Sequence, residues 1–227
     1  MKLKINLKNL TKKQRIIAIA VSCCLVVAIT LGVLWYTLWR APRVEDIYDR
    51  VVELVEASYE INTVFLGAGL PVYPADSPYA ELNHLYFDTQ YDDYEIVTNY
   101  TKFVAEQDIR DAAEQVYSKA YLEDVLYNNA FVGYAIDDGT GTPTYAAARY
   151  LDENGRLYQS KNGTNYLKNG MRVYDFSTMK VVAPSNSKVC YISIESYLPS
   201  APNRVLRDNL RLVLQEDGQW YLDSFTG

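Results

Sequence analysis

Residues Ile16 to Trp39 read IIAIAVSCCLVVAITLGVLWYTLW, an uninterrupted run of 24 residues without a charge. Six basic residues precede it: Lys2, Lys4, Lys8, Lys12, Lys13 and Arg15. The first acid is Glu45. As a helix, a run of this length matches the hydrocarbon core of a bilayer with room for tilt. A secretory signal peptide is the competing reading, but it has a shorter apolar core and a small-x-small exit. Here the exit is Leu34-Trp35-Tyr36-Thr37-Leu38-Trp39-Arg40, which is bulky throughout. Trp35, Tyr36 and Trp39, with Arg15 and Arg40 as flanking cations, have the composition of a membrane interface. A retained transmembrane helix over 16–39 is therefore expected. The run also has no polar face, which a helix packed on a soluble surface would show.

Orientation follows from the flanking charge. The basic tail 1–15 stays in the cytoplasm by the positive-inside rule, and residues 44–227 are exported after a short linker at 40–43. Beyond Arg40 the chain carries 15 bases against 28 acids, a net of −13. That balance excludes nucleic acid as a partner of the exported part and leaves the lipid bilayer to the basic tail. Cys23 and Cys24 lie in the apolar run, and Cys190 is alone in the exported domain, so no disulfide can form within it. A domain of this size holds a core without such staples. These features together suggest the cell membrane of a Gram-positive bacterium.

Within the exported domain, Val44, Ile47, Tyr48, Val51, Val55, Tyr59 and Phe65 recur at helical spacing, predicting a helix over 44–66 ended by Gly67 as a residue free to take positive φ. Three prolines make residues 67–85 a loop. Leu85–Asp88 and Tyr94–Thr98 are candidate short strands. Asp108 is a candidate cap for a helix over 109–118 facing Ala112, Ala113, Val116 and Tyr117 inward. A further short helix over 119–128 would bury Leu122, Val125 and Leu126. From Tyr145 the pattern turns to strands punctuated by Asn154-Gly155, Asn162-Gly163, Asn169-Gly170 and Asp217-Gly218. Met171–Phe176, Lys180–Ala183, Lys188–Tyr197, Val205–Gln215 and Gln219–Phe225 follow, with a longer turn at Pro199–Asn203. Helices first and an antiparallel meander afterwards is an α+β pattern.

The closing stretch Gly218-Gln219-Trp220-Tyr221-Leu222-Asp223-Ser224, within the hairpin Leu212–Phe225, resembles the last hairpin of nuclear-transport-factor-2-like (cystatin-like) domains. Val116-Tyr117-Ser118-Lys119-Ala120-Tyr121-Leu122 is similar to the small-helix region that precedes their sheet. The pattern is also similar to the peptidoglycan DL-endopeptidase inhibitor family. The resemblance implies a curved antiparallel sheet wrapped on a long helix around a hollow. The fold hosts enzymes, inhibitors and adaptors alike, so it does not by itself assign an activity.

Chemistry-bearing residues are sparse. His84 is the only histidine, so a histidine-dependent triad has a single candidate. Neither zinc spacing nor a complete dinucleotide fingerprint occurs at Gly67-Ala68-Gly69 or Gly139-Thr140-Gly141, and no metal or cofactor is expected. Asp88, Asp92, Asp93 and Glu95 form an acid cluster, and Asp223 sits on the last strand. Carboxylates so placed could serve a hydrolase of wall material if one were buried. Asp137-Asp138-Gly139 reads as a turn. Tyrosine is the more telling residue: there are 21 against 6 phenylalanines. A buried phenol needs a hydrogen-bond partner, so many of these rings should keep one wet end, as at binding surfaces. Tyr73, Tyr79, Tyr86, Tyr91 and Tyr94, with Asp92 and Asp93, make the candidate ligand surface. A non-catalytic domain binding an envelope protein or a peptidoglycan-related ligand is the leading expectation. A carboxylate-dependent hydrolase and a structural subunit partnered through its membrane helix are the alternatives.

Overall fold

A computed structural model describes residues 11–74, 76–78, 94–136, 144–146, 148–153 and 155–227. The expected strand at Leu85–Asp88, His84, and the turn at Asp137-Asp138 lie outside them. The chain is α+β, with an N-terminal apolar helix and antiparallel sheets.

Helix α1 spans Lys12–Trp39. It begins four residues before the apolar run because Thr11 and Gln14 form a reciprocal cap: the Gln14 N–H donates to Thr11 Oγ1 at 3.4 Å and the Thr11 N–H to Gln14 Oε1 at 3.0 Å. At 1.5 Å per residue it is roughly 42 Å long. Its segment Lys12–Tyr36 is long and apolar enough to cross a membrane, and none of the segment's most apolar window is buried. The hydroxyls of Ser22 and Thr30 donate to Ala18 O (2.9 Å) and Val26 O (2.8 Å) within the helix.

Helix α2 spans Val44–Leu66, as its spacing predicts. Asp46 accepts from the Arg43 N–H at 3.0 Å, and Glu45 and Asp46 place negative charge at the positive end of the helix dipole. The buried stripe contains Ile47, Val51, Leu54, Val55, Ile61, Val64 and Phe65, and also the polar Ser58 and Asn62. Tyr48 lies on the exposed side instead. Gly67 ends the helix without positive φ (−95°). It is glycine for lack of space: a Cβ there would sit 2.8 Å from Thr63 Cα.

Helix α3 spans Glu106–Glu114, starting earlier than expected. Asp108 is not its N-cap. It lies one turn in, and its carboxylate reaches back to the N–H groups of Val104 and Ala105, each at 2.9 Å. Val116 to Ser118 leave the helix and run beside the last strand. A single turn, α4 (Lys119–Tyr121), leads into a π-wound segment, Leu122–Val132. The wider i→i+5 winding aligns Leu122, Leu126 and Ala130 inward and leaves Val125 49% exposed, so three-residue spacing misassigned it.

The strands are β1 (Tyr94–Ile96), β2 (Tyr134–Ile136), β3 (Thr144–Ala146), β4 (Tyr150–Glu153), β5 (Arg156–Ser160), β6 (Val173–Val182), β7 (Val189–Leu198), β8 (Ala201–Leu214) and β9 (Trp220–Leu222). They form three antiparallel sheets among the described residues, ordered β1-β5-β4, β2-β3 and β6-β7-β8-β9, rather than one meander. Between β5 and β6 the chain runs as turns over the end of α2, where the Tyr166 N–H donates to Leu66 O at 2.8 Å.

In the four-stranded sheet, Cys190, Ile192 and Ile194 line one fully buried face with Leu210, Leu212 and Leu222, and this face shares the core with α2. The two segments expected at 171–176 and 180–183 are one strand. Its register shifts between Asp175 and Lys180, where Asp175 Oδ1 takes the Ser177 N–H at 3.0 Å. The turn before β8 is also shorter than expected: Leu198 pairs with Ala201, and β8 bulges before Leu206. Tyr117 adds a parallel bridge to Leu222 on the far edge, with Ser118 N–H to Leu222 O at 2.7 Å.

A buried polar cluster ties the C-terminus to α2. The Ser58 hydroxyl donates to Val55 O at 2.6 Å. Its single proton is thereby used, so the 2.6 Å bond between Ser58 and Thr226 is donated by Thr226. Thr226 Oγ1 accepts from Asn62 Nδ2 at 2.8 Å, and Asn62 Oδ1 accepts from the Tyr117 hydroxyl at 2.6 Å. Burial pushes the Tyr117 phenol up to about 12, while hydrogen bonds to Thr226, Asn62 and Ser58 work the other way.

Thr226→Val keeps the shape and leaves Ser58 and Asn62 short of a partner. Urea unfolding at neutral pH should show a loss of about 1–3 kcal/mol. An unfolded tyrosine loses its proton near pH 10, while folded Tyr117 holds its proton to about 12. Stability is therefore insensitive to this group below roughly pH 10 and falls as pH rises from there through the folded value. Tyr117→Phe should flatten that alkaline decline in a series of unfolding curves at rising pH.

Candidate functional site

Past Gly67 the chain makes a tight descent. Gly69 has φ +84°, and a Cβ on it would overlap the Gln159 carboxamide. That carboxamide accepts the Leu70 N–H at 2.6 Å, so β5 grips the start of the loop. Pro71 to Tyr73 then lie along β1. Val72 bridges Val97, the Tyr73 N–H donates to Ile96 O at 3.0 Å, and the Thr98 N–H to Pro71 O at 2.9 Å. The proline falls where its missing donor is not needed, as on an edge strand.

This arrangement opens a groove of about 180 Å³ at the edge of the three-stranded sheet. Ile96, Val104 and Leu157 supply its apolar lining, and Tyr73, Asn99 and Arg156 its polar groups. The Tyr73 hydroxyl donates to Asn99 Oδ1 at 2.7 Å. The volume suits a single side chain or sugar ring, being below the roughly 300–1,000 Å³ of sites for larger ligands. An aromatic face, an amide and a guanidinium can stack on a ring and hydrogen-bond a carboxylate or hydroxyl.

Of the expected ligand surface, Tyr73 lines this groove. Tyr94 does not present a wet end. It is 6% exposed, and its hydroxyl donates to Ala148 O at 2.5 Å, inside a small cluster with Ile96 and Tyr158. Tyr79, Tyr86, Tyr91, Asp88, Asp92 and Asp93 lie outside the described residues. Among the expected interface residues, Trp35, Tyr36 and Trp39 are exposed on α1, and the Arg40 guanidinium lies 5.1 Å from the Tyr36 ring centre. Arg15 belongs to the first turn of α1.

Asp223 is engaged structurally. Its carboxylate meets the Arg211 guanidinium and takes the Ser118 hydroxyl proton, and its own N–H donates to Arg211 O at 2.7 Å. This holds the last hairpin to the segment after α3. Among the described residues no group of three His, Cys, Asp or Glu side chains is placed to hold a metal ion.

A second, wider cleft of about 810 Å³ flanks the final hairpin, between Glu114, Lys119, Lys188, Gln215 and Asp217. The Tyr221 hydroxyl donates to Asp217 at 2.6 Å, and this bond holds the Asp217 carboxyl below the ordinary carboxylate range. Charges of both signs line the cleft.

Sequence reasoning missed two arginines. Arg149 is buried and donates to Gly67 O at 2.6 Å and Thr164 O at 3.1 Å, setting its charge at the negative end of α2. Arg110 lies 4.2 Å from the Tyr127 ring centre and 4.4 Å from that of Phe131, and it pairs with Glu106 at 2.6 Å. Arg149 has no local sequence signal, because its acceptors come from other elements; Arg110 has the i,i+4 spacing to Glu106 within α3, but the rings beside it come from the π-wound segment.

No family model, curated protein or solved structure matches the chain.

Gly69→Ala places a side chain in a left-handed conformation and against the Gln159 amide. Unfolding measurements should show a loss of at least about 1 kcal/mol, together with faster amide exchange at Leu70 and Tyr73.

Proposed function

We propose that the chain is a single-pass, membrane-anchored binding module of the bacterial cell envelope, with its N-terminus in the cytoplasm and residues 44–227 outside. The observation that carries this reading is α1. Its apolar side chains point outward over the whole candidate span, and its two hydroxyl groups that meet no water in a bilayer are satisfied within the helix. The basic residues before the span and the acidic balance after it support the orientation. In this reading α2 across β6–β9 is a nuclear-transport-factor-2-like roll, supported by the long helix, the shared core and the Trp220-containing closing hairpin.

The binding surface is the Tyr73 groove, and the ligand is an envelope protein or a wall component presenting a ring and a carboxylate. The groove's polar groups are a phenol, an amide and a guanidinium. Among the described residues they are groups for recognition, and the groove is taken as a binding surface.

Protease added to intact cells should remove a C-terminal tag without lysis; a tag protected until lysis overturns the topology. Membrane vesicles bearing the full-length chain should sediment with purified peptidoglycan. Tyr73→Ala or Arg156→Ala should weaken that association by about tenfold. Equal binding by wild type and both variants removes the groove from the reading.

A further inference from the structure

We propose that Asn162 is a site of spontaneous deamidation, and that the carboxylate it gains becomes the counter-ion of the buried Arg149 guanidinium. The chain repeats Lys-Asn-Gly at 161–163 and at 168–170. Each copy closes a turn: the Gly163 N–H donates to Ser160 O at 3.3 Å and the Gly170 N–H to Leu167 O at 2.9 Å. Both asparagines and both glycines are exposed, so water and hydroxide reach them. In an Asn-Gly pair no Cβ on the following residue obstructs the approach of its nitrogen to the asparagine side chain. The Gly163 nitrogen passes its proton to hydroxide and bonds to Asn162 Cγ. The side-chain nitrogen takes up a proton from water and leaves as ammonia. A further water opens the cyclic imide at either carbonyl, giving aspartate or isoaspartate. The sum is amide plus water to carboxylate plus ammonium, with no oxidant or cofactor.

The fold distinguishes the two copies. The attacking nitrogen must first leave its turn bond. The Gly170 bond has an ordinary length, whereas the Gly163 bond exceeds the roughly 2.7–3.2 Å of a well-formed N–H···O contact and is the weaker of the two. Among the described residues no hydrogen bond holds the Asn162 carboxamide; its backbone N–H alone is engaged, with Ser160 Oγ at 3.2 Å. Arg149 gives the new charge a destination. It is 6% exposed, its terminal nitrogens donate only to the carbonyls of Thr164 and Gly67, and its Nε has no hydrogen-bond partner among the described residues. Nor has it an ion pair among them. Gly163 packs against this group, since a Cβ there would lie 3.1 Å from Arg149 Nη1. A carboxylate at residue 162 is therefore one residue from a buried cation, where attraction is stronger than in open water. Repulsion from the C-terminal carbonyls of α2 opposes it. Those carry only about half a charge between them, and Arg149 already engages the one at Gly67.

The test incubates the full-length chain in detergent at mildly alkaline pH and follows both asparagines by peptide mass spectrometry. In the folded chain Asn162 should deamidate about fivefold faster than Asn169, the ratio that the difference between their turn bonds supplies. In denaturing urea, where neither turn persists, the two copies should react at one rate. Equal rates in the folded chain, or a faster Asn169, overturn the site. The counter-ion is tested without ageing. Asn162→Asp and Asn162→Ser both remove the amide, and only the first adds charge. In urea unfolding at neutral pH and low salt, Asn162→Asp should hold the ratio of folded to unfolded chain about threefold above Asn162→Ser. High salt, or a pH below the carboxylate range, should abolish that difference. A ratio for Asn162→Asp that is equal or lower, or a gain that persists undiminished in an Arg149→Gln background, overturns the pairing.

Discussion

The fold depends on a few buried oxygen and nitrogen atoms between α2 and the last residues of the chain. Ser58 and Asn62 interrupt an otherwise apolar stripe, and each would be costly if left without a partner. Thr226 answers both, and Tyr117 completes the set. The cluster draws together the first helix of the folded region, the segment after α3 and the C-terminus, which are far apart in sequence. It also fixes direction. Apolar contacts alone tolerate sliding of a helix over a sheet, whereas this pattern of donors and acceptors is met in one arrangement.

The Arg211–Asp223–Ser118 contacts act beside it. They hold the final hairpin against the same segment, and Arg50 adds a tie from α2 by donating to Trp220 O at 3.0 Å and Gln115 O at 3.3 Å. An acid on a closing strand suggested chemistry from sequence. In the structure its carboxylate is taken up by neighbouring donors. The open groove at Tyr73 lies instead on the three-stranded sheet, where the chain after α2 must turn sharply and leave room beside β1.

How much the sequence reveals depends on how local each cause is. The extent of α2 follows from its apolar spacing, which is local; Gly67 marks its end through close approach to Thr63 rather than through the positive φ expected of it. The hairpins at Gly155 and Gly218 follow from glycines that adopt φ of +71° and +78°. The burial of Cys190 with Ile192 and Ile194 follows from strand alternation. The bulges in β6 and β8 were not legible, because an inserted residue breaks the alternation used to find a strand. The π-wound segment was misjudged at Val125 for the same reason in helical form. The burial of Ser58 and Asn62 has no signal in the apolar spacing of α2; only their distant partners make it tolerable. At the candidate site, the crowding of tyrosines pointed to Tyr73. Asn99 and Arg156 reach it through tertiary folding, for which a linear pattern carries no signal. Tyr94 shows the limit of that argument, since a phenol can find its partner in a main-chain carbonyl of the interior.

Residues 40–43 have a mechanical consequence. They are non-helical and include Pro42, so the axes of α1 and α2 are not one continuous rod. Bending and torque pass between the helices only through these four residues, with the φ of Pro42 fixed and Arg40 and Arg43 hydrogen-bonded to the adjoining helix ends. Tension is transmitted: four residues extend to at most about 14 Å, after which a pull on one helix becomes a pull on the other.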